Sequence, residues 1–248
     1  MTTDSTGPAK LYLMQLSATT VPLPNKATME MVMVCYLIET GDGKRILIDS
    51  GMYPETMPPG LPPARDKKSV LEHLAELQIA PKDVDTVICT HFDVDHAGYH
   101  DAFRYAEFVV QREHYERARA GDPRYAAARE HWDHPSLRYR MVDGDAELLP
   151  GVALIETSGH APGHQSVLVR LPQTGAVLLV IDAVVLARLF TPERKAWPKD
   201  HNEEQLRIST RKLMDIAERE KDALVVFGHD GEQWKTLRKS PEIGRAHV

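Results

Sequence analysis

One stretch of this sequence decides the fold: Thr90–Gly98, which reads THFDVDHAG. Its metal-binding side chains lie within six residues, and they are His91, Asp93, Asp95 and His96. The run just before it is short, apolar and β-branched, which is typical of a buried strand. Alternate residues of an extended segment point the same way, so these side chains can share one face at the end of that strand. Imidazole and carboxylate bind zinc, iron and manganese, which makes this stretch a candidate metal loop.

Three further segments carry residues of the same type at the ends of strand-like runs. Thr157–Ser166 reads TSGHAPGHQS and includes His160 and His164. Val177–Asp182 reads VLLVID, and Leu224–Asp230 reads LVVFGHD. The ends of strands in a rigid sheet are positions where a site can be held in place. The repeated pattern therefore favours one shared metal site over the alternative for the first stretch, a polar loop with scattered histidines.

The four motifs HFDVDH, TSGHAPGH, LVID and FGHD resemble, in order, those of the metallo-β-lactamase fold and of its N-acyl-homoserine lactonase branch. That branch carries HxHxDH, TPGHxPGH, an aspartate after an apolar strand, and a late GHD. The resemblance covers roughly Leu11 to Trp234. It implies an α/β (α+β) protein built as a four-layer αββα sandwich. The runs of strands with helices between them also fit that architecture better than a simple βαβ sheet.

The resemblance also implies a centre of two divalent metal ions, with zinc expected and iron or manganese as alternatives. The implied ligands are His91, Asp93 and His160 for one ion, Asp95, His96 and His229 for the other, and Asp182 as a bridge. Two ions roughly 3.5–4 Å apart share a hydroxide, which serves as a nucleophile at neutral pH. Asp49 and His164 are expected to orient the ligands from behind. For Asp49, a plain turn aspartate is the alternative.

Two positions depart from the pattern of the branch. Its second motif histidine is Asp93 here, which adds a negative charge and a harder donor, a change in the direction of iron or manganese that does not by itself select the metal. The alternative is that Asp93 turns away and leaves its site weak or empty. The tyrosine that the lactonases place three residues after the bridging aspartate is Val185 here. Its hydroxyl is then absent, or it is supplied by Tyr53 or Tyr99.

The predicted activity is hydrolysis of a lactone ring, with N-acyl homoserine lactone as the leading substrate. Asp95 and Asp182 are assigned to catalysis, and Asp230 is expected to donate a proton or to orient its neighbour. The enzymatic alternatives are hydrolysis of another lactone or ester, of the pyridoxolactone or γ-butyrolactone type, or a thioesterase, β-lactamase or phosphodiesterase of the same fold. A non-catalytic metal-binding module is the alternative outside enzymes.

The strand expected at Met29–Glu39 places Met31 and Met33 on one face. Methionine fills irregular apolar space, which suits a wall for acyl chains, although packing in the sandwich core is the alternative. Thr19–Lys26 is expected to be a loop. Tyr53–Arg65 is proline-rich and is expected to be a long loop at the rim of the substrate site.

Length and composition predict one soluble domain over residues 1–248, since the chain is 42% hydrophobic. The net charge of −6, with 30 basic residues spread along the chain, argues against nucleic-acid binding. Cys35 and Cys89 lie in apolar runs and are expected to be reduced thiols. No signal peptide or membrane span is apparent, which predicts a cytoplasmic protein that binds no membrane. A monomer or a homodimer is expected. The tail Ile243–Val248 is interpreted as a cloning remnant.

Overall fold

The first of two sheets carries the candidate metal loop Thr90–Gly98 at the end of one of its strands. The computed structural model of the protein describes residues 6–23, 26–53 and 62–243. In these ranges the first sheet contains β1 (Pro8–Pro22), β2 (Thr28–Thr40), β3 (Arg45–Ile48), β4 (Thr86–Ile88), β5 (Glu107–Gln111) and β6 (Arg138–Val142), paired in that order. The pairs up to β3 are antiparallel, and those from β3 to β6 are parallel.

The second sheet supplies the remaining strand ends of the site. It contains β7 (Ala146–Leu149), β8 (Val152–Glu156), β9 (Gln165–Leu171), β10 (Gly175–Ile181) and β11 (Leu224–Phe227). Its spatial order is β11-β10-β9-β8-β7. Only the β10–β11 pair is parallel among the strands of this sheet in the described ranges. β11 therefore ends at the same edge as β10, and the loops after these two strands lie together.

Helices cover the outer faces of both sheets. They are α1 (Val70–Glu76), α2 (Arg112–Arg119), α3 (Arg129–Trp132) and α4 (Glu203–Arg219). The short helix α5 (Gly231–Trp234) instead contributes Trp234 to the apolar cluster between the sheets. An apolar cluster joins the first sheet to α1, α2 and α3, a second lies between the sheets, and a third joins the second sheet to α4. Four layers result, in the order helix, sheet, sheet, helix. The predicted αββα sandwich is confirmed.

Local sequence signals explain how α1 and α4 begin. Ser69 caps α1 by accepting from the Glu72 backbone N–H, and the Glu72 carboxylate accepts from the Ser69 backbone N–H, which completes a capping box. Asn202 caps α4 by accepting from the backbone N–H of Gln205. The apolar side of α4 then faces the second sheet through Leu213 and its neighbours. The N terminus of α4 is thereby fixed beside the loop between β8 and β9.

The prediction of a loop at Thr19–Lys26 is wrong for its first four residues, which continue β1 as far as Pro22. Pairing with β2 continues along this segment, with Thr20 opposite Glu30. Because β1 is at the edge of the sheet, prolines near its end remove no ladder hydrogen bond from a central strand.

Cys35 and Cys89 are buried and free, as predicted. Residues 54–61 of the proline-rich segment and residues 244–248 of the tail lie outside the described ranges. Among the residues that are described, no helix is long and apolar enough to cross a membrane. The cytoplasmic location and the monomeric or dimeric state stay predictions.

Gly159 lets the loop between β8 and β9 lie directly against α4. A Cβ at Gly159 would lie 2.4 Å from the backbone nitrogen and Cα of Leu206. We expect Gly159→Ala to lower the free energy of unfolding by more than about 2 kcal/mol, because one of the two backbones must move. Urea unfolding followed by circular dichroism measures this. Gly43→Ala is the matched control, since Gly43 also has a positive φ but faces open space. Equal losses in both variants would contradict a packing constraint at Gly159.

Candidate metal centre

Four loops at the ends of strands bring the predicted ligands together. The loops follow β4, β8, β10 and β11. The ligand-type side chains that they carry are His91, Asp93, Asp95, His96, His160, Asp182 and His229. They form overlapping groups in which the ligand atoms lie within 4.8 Å of one another. We call His91, Asp93 and His160 the Asp93 group, and Asp95, His96 and His229 the His229 group.

Asp182 lies between the two groups. Its Oδ1 is 3.5 Å from Nε2 of His96, and its Oδ2 is 3.5 Å from Nε2 of His160. Asp182 follows β10 directly, and the preceding residue, Ile181, has a φ of +51°. A non-glycine residue in the left-handed region is strained, and such strain is commonly found where a functional side chain is positioned.

The imidazoles are oriented from behind, so that their Nε2 atoms face the cluster. Nδ1 of His91 pairs with the Thr90 hydroxyl, and Nδ1 of His96 pairs with the Asp49 carboxylate. Nδ1 of His160 pairs with the Asp200 carboxylate, and Nδ1 of His229 pairs with the Val32 carbonyl. Partners of this kind fix the tautomer and the ring orientation of a metal-binding histidine. Asp49 also accepts hydrogen bonds from the backbone N–H and hydroxyl of Thr90, so it is no plain turn residue.

The open imidazole nitrogens test whether this cluster fits a metal ion. Nε2 of His91 and Nε2 of His96 are buried and have no hydrogen-bond partner among the described residues. A buried polar atom left unpaired costs about 1–3 kcal/mol. Both atoms face carboxylates and other imidazoles, which are the donors that divalent transition metals prefer. The donor set therefore fits a bound cation.

The carboxylates and imidazoles balance each other electrostatically. Burial alone would raise the pKa of Asp182, but the neighbouring His229 and His96 hold it well below its usual value. Burial alone would lower the pKa of His229, but Asp182 raises it to about 9. Because a metal ion needs the neutral imidazole, loading of the cluster at neutral pH releases protons.

Asp93 lies in the cluster, and its carboxylate is also paired with Arg124. The guanidinium donates from Nε to Oδ1 and from Nη2 to Oδ2, both at 2.6 Å. Burial alone would raise the pKa of Asp93, but the hydrogen bonds from Arg124 hold it well below its usual value. Neither predicted alternative therefore describes Asp93 fully, since it faces the cluster and carries its own cation. Sequence reasoning missed Arg124, which is 31 residues from Asp93.

Two other predicted site residues have structural partners. Asp230 accepts from the backbone N–H groups of Ala187, Glu232 and Gln233, which makes it the N-cap of α5. This arrangement orients the loop that carries His229, and the predicted role as a proton donor stays a prediction. His164 is buried, and its Nδ1 is 2.9 Å from the Thr157 hydroxyl.

A cavity of about 320 Å³ opens onto the cluster. Its lining contains Asp93, Asp95, His160, Asp182 and His229. The other lining residues are mostly apolar and include Val21, Met31, Met33, Met52, Val185 and Trp197. Pockets of this kind, with an apolar wall and a few convergent polar groups, bind small molecules.

The predicted substrate contacts are divided between this cavity and its surroundings. Met31, Met33 and Val185 line the cavity itself. Tyr99 lines an adjacent recess, which also includes Met33. The Tyr53 ring packs against that of Tyr99, with centroids 5.1 Å apart. Substrate contact by either tyrosine stays a prediction.

Comparisons with known proteins show the superfamily to which this chain belongs. The sequence model described as the Metallo-beta-lactamase superfamily matches residues 32–229. The chain belongs to this superfamily. The matched range runs from β2 to the last histidine of the cluster, so it includes all of the strand-end loops described above.

Within the superfamily, the chain belongs with the N-acyl homoserine lactonases. It is 35% identical to N-acyl homoserine lactonase AiiA of Bacillus thuringiensis subsp. kurstaki, over 84% of this chain and 85% of that one. It is also 35% identical to N-acyl homoserine lactonase AttM of Rhizobium radiobacter, over 73% and 72% of the two chains.

Solved structures agree with this placement. A quorum-quenching N-acyl homoserine lactone lactonase superposes with a TM-score of 0.83 at 32% identity, covering 95% of this chain and 98% of that one. An N-acyl homoserine lactone hydrolase with the product N-hexanoyl-L-homoserine at its catalytic metal centre also gives 0.83, at 30% identity and coverages of 95% and 99%.

His114 links two of the ligand loops. Its Nε2 accepts the backbone N–H of Phe92, and its Nδ1 donates to the carbonyl of Pro162, both at 2.8 Å. One neutral imidazole thus joins the loop after β4 to the loop after β8. Burial is the main cause that lowers the pKa of His114, to about 4 from 6.5.

The His114 bridge predicts a pH dependence of stability. The unfolded chain takes up a proton at His114 below pH 6.5, and the folded chain only below about 4. The stabilisation is therefore complete above pH 6.5 and is lost as the pH falls toward about 4. Between about pH 7.5 and about pH 5, the metal-free protein should lose about 2 kcal/mol through this group.

Urea unfolding at both pH values tests this bridge. Between these two pH values, the free energy of unfolding of His114→Gln should fall by about 2 kcal/mol less than that of the wild-type protein. His201→Gln, which changes an exposed histidine, should keep the wild-type dependence. An unchanged pH dependence in His114→Gln would show that the bridge does not hold the neutral form.

Proposed function

We propose that this chain hydrolyses N-acyl homoserine lactones and that it uses two divalent metal ions, zinc first, with iron or manganese as alternatives. The observation that carries the proposal is the position of Asp182. Its carboxylate lies between the two groups of imidazoles and lines an apolar cavity. The activity named for the relatives supports the choice of substrate.

We assign the metal ions to the two groups of the cluster. The proposed ligands are His91, Asp93 and His160 for one ion, Asp95, His96 and His229 for the other, and Asp182 for both. When bound, such ions polarise the lactone carbonyl and lower the pKa of water toward about 7. The same donors suit zinc, iron and manganese, so the donor types do not select one of these metals.

The residues of the chain then bind the lactone and move a proton. Hydrolysis forms a C–O bond from water to the carbonyl carbon and breaks the ring C–O bond, so the ring oxygen leaves as a hydroxyl. Asp95 lines the cavity, and its Oδ2 is 3.8 Å from Nε2 of both His96 and His229. In this proposal, the Asp95 carboxylate accepts the proton from water and returns it to the ring oxygen. Val185 offers no hydroxyl for this step, and its side chain adds to the apolar wall.

The role of Asp182 can be tested by substitution. Asp182→Asn should lower kcat/KM for N-hexanoyl homoserine lactone by at least about 100-fold, because the central charge of the cluster is lost. Asp143→Asn is the control and should be neutral, since Asp143 is an exposed partner of Arg112. Lactone opening is followed by proton release after reconstitution of the metal-free protein with zinc, manganese or iron. Absence of lactone opening by the wild-type protein with every metal would refute the proposed function.

The apolar wall predicts a dependence on acyl-chain length. Each methylene that is buried against the wall contributes up to about 0.8 kcal/mol, so kcat/KM should rise up to about fourfold per carbon over several carbons. Met33→Ala should reduce this slope, because Met33 lines the cavity. Met214→Ala is the control on α4 and should leave it unchanged. A flat series, or faster turnover of unacylated γ-butyrolactone, would favour the small-lactone alternative.

A further inference from the structure

Arg124 is fixed by its neighbours in the cluster. A guanidinium carries five N–H bonds, and each has an acceptor here. Nε and Nη2 donate to the two oxygens of Asp93, and Nη2 also donates to Nε2 of His160 at 2.8 Å. Nη1 donates to the carbonyls of His160 at 2.7 Å and Lys199 at 2.8 Å. The side chain is 21% exposed, so this cation is largely shielded from water.

The backbone around Arg124 also holds it in place. Asp122 caps the 3-10 helix Pro123–Tyr125 by accepting from the Arg124 backbone N–H at 3.0 Å. A proline at the start of this helix further restricts the chain. The guanidinium therefore reaches the cluster from a rigid segment, and its forked contact with Asp93 has the bidentate geometry of a strong ion pair.

The two groups of the cluster consequently differ in the charged side chains that surround the candidate metal ligands. In the Asp93 group, both Asp93 and Nε2 of His160 already accept hydrogen bonds from Arg124. In the His229 group, the ion pairs of Asp95 and of the adjacent Asp182 are with imidazoles throughout the described residues. An ion entering the Asp93 group meets a fixed positive charge and competes for its ligands, whereas an ion entering the His229 group does not.

We propose that Arg124 is a resident cation of the Asp93 group and makes the two metal positions unequal. The His229 group with Asp182 binds its ion tightly, and the Asp93 group binds a second ion weakly. Together, the Asp93 carboxylate and the Arg124 guanidinium carry no net charge. A neutral histidine in place of Asp93 would also contribute no charge. The inference rests on the metal centre of the proposed function, and it adds an order of loading that this function does not require.

Titration of the metal-free protein with zinc, in competition with a chromophoric chelator, tests the inequality directly. We expect one tight equivalent and a second that is at least 100-fold weaker. Arg124→Gln should tighten the second equivalent at least tenfold and leave the first unchanged, because the competing charge is removed. Arg124→Lys keeps the charge but loses the forked contact. Its affinity for the second equivalent should therefore lie between those of the wild-type protein and Arg124→Gln. Two equally tight equivalents in the wild-type protein would overturn the proposal, whether or not the variants fold.

A control variant and a spectroscopic measurement complete the test. Arg112→Gln removes an exposed arginine of α2 that pairs with the exposed Asp143, and it should leave both affinities at their wild-type values. With cobalt, the visible absorption spectrum of the first equivalent should be the same in wild type and in Asp93→Ala, because Asp93 lies outside the tight position. A changed first spectrum, or an unchanged second affinity in folded Arg124→Gln, would overturn the proposal.

Lactone hydrolysis is measured separately, so that the two proposals can fail independently. Unequal binding of zinc in a protein that opens no lactone would refute the proposed function alone. Equal binding in an active lactonase would refute the role of Arg124 alone.

Discussion

The structure depends on a set of buried imidazoles that are held from behind, two of which, His91 and His96, have no hydrogen-bond partner at Nε2 among the described residues. His96 is held by the carboxylate of Asp49 after β3, and His229 by the carbonyl of Val32 on β2. These partners come from elements distant in the chain, so the site forms only when the sandwich has formed. Nitrogens that face the cluster without a protein partner are costly in the folded chain. A bound cation relieves that cost, and metal binding and folding are thereby coupled.

The same constraint explains why the surrounding loops pack so tightly. Gly159 lies against the backbone of α4, and His114 joins the loop after β4 to the loop after β8. Small displacements there would move His91 and His160 relative to each other. Rigid support of this kind keeps ligand atoms in a productive geometry. The apolar cavity above the cluster has walls of methionine, which can adapt to different chains while its floor stays fixed.

Much of this site could be predicted from the sequence, because its ligands follow short apolar runs that are strands in the structure. The sandwich was predictable from the family that these motifs resemble, together with the runs of strands with helices between them. Arg124 and Asp200 were not, since each meets His160 only through tertiary contacts and neither lies in a recognisable motif. Strand β6 also gives a poor signal, because Arg138 and Arg140 break its apolar character. The proline-rich start of Thr19–Lys26 was misjudged because pairing with β2 overrode its local preference.

The central claim is that the strand-end loops form a metal centre, and anomalous diffraction from crystals grown with zinc tests it most directly. A map calculated at the zinc edge should show a strong peak about 2.0–2.1 Å from Nε2 of His96 and of His229. Oxygens of Asp95 and Asp182 should complete its coordination, and any second peak, beside His91, should be weaker. A map with no peak within bonding distance of these imidazoles, from crystals saturated with zinc, would contradict the account.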